Sequence, residues 1–135
     1  MTGPARQATG VSAWALGLLV LLPIPLLGSL AAGGAMVAAY GSLSRQGPLA
    51  KANAASAKRW GTWFLFVSTG LLVLHLALTV PLFWLPSEAR GFFPLGIPIT
   101  LYALVCVVHL VVVIGATMRA RRGEVVRLPF GRTES

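Results

Sequence analysis

Two histidines, His75 and His109, lie deep within uncharged, apolar stretches of this sequence. An ionisable side chain at such a position is by default a candidate for proton transfer, ligand binding or metal binding. Direct pairing is disfavoured, because they lie about 17 and 10 residues from the basic ends of their stretches, a depth difference of about 10 Å. We therefore expect each histidine to be neutral and to bond a hydroxyl or carbonyl of a neighbouring helix. We expect no metal and no cofactor.

A second candidate for chemistry is a thin polar face around the first of these histidines. Ser68, His75 and Thr79 are spaced by seven and four residues, which places them on one side of a helix. Such a face could line a pore or form a seam between two helices. Catalysis is not expected, because the sequence shows no nucleophile with a base and an acid, no paired carboxylates and no glycine-rich phosphate loop.

Small residues are concentrated further upstream, at Gly28, Ser29, Gly33, Gly34 and Ala35. Small residues spaced by four allow two helix backbones to approach closely within a membrane. This stripe predicts either helix packing within the chain, against the middle apolar stretch, or a docking face for another subunit.

The composition is that of a membrane protein. Of the 135 residues, 56% are hydrophobic and only 10% are charged, whereas soluble domains average roughly 25% charged residues. Charged residues are absent from the intervals 7–44, 60–87 and 91–118. A bilayer core of about 30 Å requires about 20 apolar residues in a helix. The second and third intervals therefore each predict one membrane-spanning helix.

The first charge-free interval has 38 residues and is interrupted by Pro23 and Pro25. Two prolines so close together disfavour a continuous helix. The sequence predicts an all-α, polytopic transmembrane bundle of four apolar helices, the first two forming a short proline-turned hairpin. The alternative is three spans, the first of them kinked. We expect this interval to be retained, because it is too long for a cleaved signal peptide.

Basic residues flank the apolar intervals and indicate orientation. Eleven Lys and Arg against three acidic residues give a formal net charge of +8. The positive-inside rule places segment 45–59 and the C-terminus in the cytoplasm. The hairpin then places the N-terminus there too, whereas a single kinked span would place it outside. We expect a cytoplasmic N-terminal tail over 1–10, a transmembrane domain over 11–122 and a basic cytoplasmic tail over 123–135. The residues expected to contact anionic lipid head groups are Lys51, Lys58, Arg59, Arg119, Arg121 and Arg122. Nucleic-acid binding is not expected, because the aromatic residues mark membrane interfaces.

Three short motifs follow one another in the last third of the sequence. Gly96-Ile97-Pro98 opens the last apolar helix, small and basic residues follow over 115–120, and 123–129 begins with Gly-Glu. This order resembles a large bacterial family of uncharacterised small membrane proteins. That family is related to the twenty-kilodalton subunit of the chloroplast inner-envelope protein translocon. The resemblance implies a fold of three or four helices in a bacterial plasma membrane, and it supplies no catalytic residues.

Together these features predict a non-catalytic integral membrane protein, an accessory or structural subunit packed against a larger membrane complex. Its expected partners are membrane lipids and a membrane protein or a second copy of the chain. The alternative function is a pore-forming or translocation-type channel component that uses the polar face Ser68, His75 and Thr79.

Overall fold

A computed structural model describes residues 7–22, 25–89 and 91–129, and within these ranges the chain is helical and has no strand. The α-helices are α1 (Val11–Ala15), α2 (Pro25–Ala38), α3 (Tyr40–Leu43), α4 (Pro48–Leu82) and α5 (Gly96–Arg121). Short 3-10 helices occupy Leu16–Leu21, Ser44–Gln46 and Ser87–Ala89.

Two of the described helices, α4 and α5, are long and apolar enough to cross a membrane. They contain 35 and 26 residues, which corresponds to about 52 and 39 Å at about 1.5 Å per residue. Pro48 occupies the first turn of α4, where a missing N–H leaves no hydrogen bond unmade. Gly123 follows α5 with a φ of 79°, the left-handed conformation that glycine adopts readily after a helix. The middle and last helices expected from the sequence are thus present.

The first apolar interval folds back on itself. The chain leaves α1 through the 3-10 helix Leu16–Leu21 and returns along α2. Gly28 lies against the carbonyl oxygens of Val20 and Leu22, and Gly17 lies against Met36. Residues late in the first arm thus lie against the start of α2, and an earlier residue of this arm lies against its later part. The two segments are therefore antiparallel. They therefore form a hairpin and not one kinked helix. Of the turn expected at Pro23–Pro25, residues 23 and 24 lie outside the described ranges.

The first arm of this hairpin is short. From Val11 to Leu21 it comprises five α-helical and six 3-10 residues, which corresponds to about 20 Å. A bilayer core is about 30 Å thick. Two helices, α4 and α5, are therefore long enough to span a bilayer, whereas the first arm, Val11–Leu21, is a shorter apolar helix.

The hairpin covers only one end of the α4–α5 pair. We call this the terminal end, because the described parts of both termini pack there; the opposite end, at residues 83–95, is the loop end. The buried residues of α4 begin at Ala50 and stop at Ser68, about 21 Å before the helix ends at Leu82. The loop end is thus mainly a pair of helices with no third element packed on it in the described structure.

Part of the small-residue stripe packs inside the chain. Ser29 is fully buried, and its hydroxyl accepts a hydrogen bond of 2.9 Å from Tyr102 Oη. A Cβ atom at Gly33 would lie 3.0 Å from Leu65 Cβ and 3.1 Å from the Gly61 carbonyl oxygen. Together with Gly28, these residues bring α2 against its neighbours. They are therefore not available to a second subunit, and helix packing is the role that the structure supports.

Gly34 and Ala35 are placed differently from their neighbours in the stripe. Both are partly exposed, and a Cβ atom at Gly34 would meet no packed atom within 4 Å among the described residues. The pattern of small residues placed Gly33 and Gly34 on one face. Successive helix residues differ in direction by about 100°, so only Gly33 faces α4.

We predict that Gly33→Leu lowers the stability of the purified protein by about 1–3 kcal/mol or more, because the new side chain collides with α4. Gly34→Leu is the matched control, and its effect should stay within about 0.5 kcal/mol. Thermal unfolding in one detergent measures both variants. Equal stability of Gly33→Leu and the unsubstituted protein would contradict the α2–α4 contact.

Candidate functional site

His109 lies at the centre of the bundle, fully buried, on the face of α5 that meets α4 and the hairpin. Trp60 Nε1 on α4 lies 3.0 Å from His109 Nδ1. The Gly17 carbonyl oxygen, in the 3-10 arm of the hairpin, lies 3.0 Å from His109 Nε2. One imidazole thus joins three segments that are far apart in the sequence.

The partners of His109 fix its protonation pattern. An indole nitrogen only donates a hydrogen bond and a carbonyl oxygen only accepts one. Nδ1 must therefore accept from Trp60, and Nε2 must carry the hydrogen that it donates to Gly17. This is the neutral imidazole with its hydrogen on Nε2. The ring also stacks on Phe64, with centroids 3.7 Å apart and planes inclined by 23°. The interhelical bond expected for this histidine is present, and the site holds segments together.

His75 makes a separate contact near the loop end. Its Nδ1 lies 3.2 Å from the carbonyl oxygen of Leu95, just before α5 begins, and so donates to it. His75 and His109 therefore have different partners, in agreement with the expected difference in depth.

The other two members of the polar face bond their own helix. Thr79 Oγ1 donates to the His75 carbonyl oxygen at 2.7 Å. Ser68 is fully buried, and its hydroxyl donates to the Leu65 carbonyl oxygen at 3.4 Å. Since His75 joins α4 to the start of α5, the face Ser68, His75 and Thr79 has the contacts of an interhelical seam.

Asn53 is a central residue that the sequence did not single out. It is fully buried on the terminal part of α4. Its Nδ2 donates to the carbonyl oxygens of Thr9, at 2.7 Å, and Glu124, at 3.1 Å. Its Oδ1 accepts from the backbone N–H of Val126 at 2.8 Å. The one side chain therefore ties both terminal segments to α4.

The hydrogen bonds of Asn53 bear on the expected boundaries between the two tails and the transmembrane domain. Residues 7–10 and 123–129 were expected to belong to cytoplasmic tails. In the structure Gly10 is buried, with a φ of 77°, and Val126 is 5% exposed. The described parts of both segments therefore pack on the helical bundle. The remaining residues of the expected tails, 1–6 and 130–135, lie outside the described ranges.

The basic residues expected to meet lipid are exposed. They are Lys51, Lys58, Arg59, Arg119, Arg121 and Arg122. Two grooves include some of them. Lys58 and Arg59 line one beside Tyr40, and Arg119 lines another, mainly apolar, with Arg127. Lys51, Arg121 and Arg122 line neither groove. Replacing them therefore removes positive charge without altering either groove.

Within the described ranges, no group of three His, Cys, Asp or Glu side chains is placed to hold a metal ion. Cys106 is a free, partly buried thiol on α5.

Comparison with known protein families, curated proteins and solved structures finds no match for this chain. The family resemblance of the motifs at 96–98, 115–120 and 123–129 therefore stays a prediction.

We predict that His109→Leu destabilises the protein by about 2–4 kcal/mol, because it leaves the Trp60 indole N–H and the Gly17 carbonyl buried without partners. His75→Leu should lose only about 0.6–2 kcal/mol, the range for hydrogen bonds between membrane helices. Denaturant unfolding in detergent provides the comparison.

Trp60→Phe should destabilise the protein less in the His109→Leu background than alone, because the two residues share one hydrogen bond. Additive effects would contradict that bond.

Proposed function

We propose that this chain is a small, non-catalytic integral membrane protein that acts as an accessory or structural subunit of a larger membrane complex. The proposed location is a bacterial plasma membrane, as the motif resemblance implies. The partner is a membrane helix of another protein, or a second copy of this chain, that packs on the loop end.

The observation that carries this proposal is the uneven covering of α4 and α5. At the terminal end, the hairpin packs on one face of each helix, while side chains such as Val111 on the other faces stay exposed. At the loop end, where the hairpin does not reach, large apolar side chains stay exposed on both helices. They include Leu76 and Val80 on α4 with Phe83 directly after it, between 59% and 66% exposed. On α5 they include Ile97, Leu101 and Leu104, between 42% and 57% exposed. Spacings of three and four residues make each set one continuous face, which suits a partner helix.

The use of the interior polar groups supports a structural role. His109, Asn53 and the Tyr102–Ser29 pair each connect elements that are distant in sequence. A hydrogen bond buried among apolar helices positions them relative to one another. The residue types that could have performed chemistry thus hold the bundle together.

For the topology, we propose two crossing helices, α4 and α5, with the hairpin inserted from the cytoplasmic side. The terminal end carries the basic residues, and the positive-inside rule places it in the cytoplasm. The first arm, about 20 Å long, then ends inside the bilayer. The expected four complete spans would require this arm to reach the outer surface.

The alternative function, a pore component, would use the face Ser68, His75 and Thr79. Its polar atoms have the protein partners described above, so we favour the accessory role. A pore would give a flux across proteoliposomes that His75→Gln abolishes without loss of stability.

We predict that the hairpin tip is inaccessible from outside the cell. In a Cys106→Ser background, Leu22→Cys should resist a membrane-impermeant maleimide, because the tip stops within the bilayer. Glu88→Cys, in the exposed turn after α4, should be labelled in intact cells, and Lys51→Cys only after permeabilisation. External labelling of Leu22→Cys as strong as that of Glu88→Cys would instead establish a full first span.

The accessory role is tested by copurification from native membranes in a mild detergent. The tagged protein should retain one membrane partner in stoichiometric amount. Leu76→Trp combined with Val80→Trp should release it, because the added bulk prevents a helix from packing on the loop end. Val111→Trp is the control, since Val111 is also exposed, at 66%, but lies nearer the terminal end of α5. Retention of the partner by both variants, or no retained partner, would overturn the proposal.

A further inference from the structure

A groove of about 510 Å³ lies where α3 meets the terminal part of α4. Its lining is Tyr40, Ala55, Lys58, Arg59, Thr62 and Trp63. Lys58 Nζ stands 4.8 Å from the centre of the Tyr40 ring, a cation–π contact that holds the ammonium group beside the groove. The described lining contains two basic side chains and no acidic one, so the groove suits an anion.

A second groove, also of about 510 Å³, continues along the same side of α4. It is almost wholly apolar, and its lining is Leu30, Leu65, Phe66, Thr69, Gly70 and Val73. The α4 residues of the two grooves recur every three or four positions, from Ala55 through Arg59, Thr62 and Phe66 to Val73. Such a series occupies one helix face. Arg59 and Gly70 are about 16 Å apart along the helix axis.

The segment that packs against α4, formed by α2 and α3, borders both grooves. Because α2 runs antiparallel to α4, Leu30 borders the second groove while Tyr40, at the start of α3, borders the first. The basic groove and the apolar groove thus follow one another along a single seam. Gly70 opens the apolar part, because a Cβ atom there would meet no packed atom within 4 Å among the described residues.

We propose that this seam binds one anionic phospholipid. Its phosphate lies between Lys58 and Arg59, and one acyl chain follows Phe66, Gly70 and Val73. This inference depends on the membrane location proposed above, but not on a protein partner.

The position of the charges favours a lipid over a soluble anion. Lys58 and Arg59 are the last charged residues before the interval 60–87, so they mark the level at which lipid phosphates lie. Tyr40 and Trp63 stand at the same level, where aromatic rings are favoured. A soluble phosphate would use the basic groove alone, whereas a phospholipid has an anionic group and an apolar chain in the order that the seam presents. Lys51 lies further from the apolar interval and lines neither groove.

The experiment uses the full-length protein in phosphatidylcholine vesicles that contain a small fraction of photoactivatable phosphatidylglycerol, with the reactive group on an acyl chain. After irradiation, mass spectrometry should locate the cross-link on the peptide that contains residues 66–73. Lys58→Gln combined with Arg59→Gln should reduce it about tenfold or more, because each basic residue near an anionic lipid contributes about fivefold. Arg121→Gln with Arg122→Gln removes the same charge outside both grooves and should leave the cross-link unchanged.

A second pair of variants tests the acyl groove. Gly70→Leu fills it and should reduce the cross-link several-fold. Gly115→Leu is the matched control, because a Cβ atom at Gly115 also meets no packed atom within 4 Å among the described residues, but on α5. Thermal stability should be the same in all four variants.

Three results would overturn the lipid site. They are equal cross-linking by a photoactivatable phosphatidylcholine, an equal loss in the Arg121/Arg122 variant, and full competition by millimolar inorganic phosphate, which would indicate a soluble anion. Flotation of the same vesicles reports membrane insertion separately. Failure to float with the vesicles would refute the membrane location, whereas insertion without the cross-link at 66–73 would refute the lipid site alone.

Discussion

The packing of this protein depends on His109, because three segments meet at its ring. A buried donor or acceptor without a partner is costly in apolar surroundings. A neutral imidazole can satisfy one donor and one acceptor at once, and His109 does so for the Trp60 indole and the Gly17 carbonyl. A leucine of similar size would satisfy neither, and a glutamine would offer no flat ring to Phe64. Removing the imidazole would therefore loosen the hairpin, α4 and α5 together.

The hydrogen bond of His109 requires close contact between backbones, and small residues allow it. A Cβ atom at Gly17 would lie 2.6 Å from Val113 Cγ2, closer than packed carbons approach. A larger residue would push the 3-10 arm away from α5 and take its carbonyl out of reach of the imidazole. Gly33 and Gly61 have the equivalent role between α2 and α4, since each would bring a Cβ atom within 3.2 Å of the other's carbonyl oxygen. The small residues and the polar residues thus act together.

The two long helices could be read from the sequence, because more than twenty residues without charge leave few alternatives. The prolines likewise indicated the hairpin. Its short first arm could not be read, because a charge-free interval does not reveal how much of it is 3-10 helix. The buried position of Asn53 could not be predicted, because this residue lies in a basic, alanine-rich segment without apolar periodicity. Its partners are backbone groups of Thr9, Glu124 and Val126, up to 73 residues away, and backbone groups have no signature in a sequence.

The two ends of the molecule are held by different forces. The part of the bundle that the hairpin covers is fixed by polar links at Asn53, His109 and Ser29, and breaking any of them would leave buried groups unsatisfied. The loop end has His75 on Leu95 and otherwise exposes apolar side chains. In the membrane location proposed above, replacing lipid there by a partner helix would change little hydrophobic energy, because lipid tails are as apolar as leucine. The outcome would then depend on shape and packing. The polar links thus keep α4 and α5 in register, so that the proposed partner helix could replace lipid at the loop end without disturbing the fold.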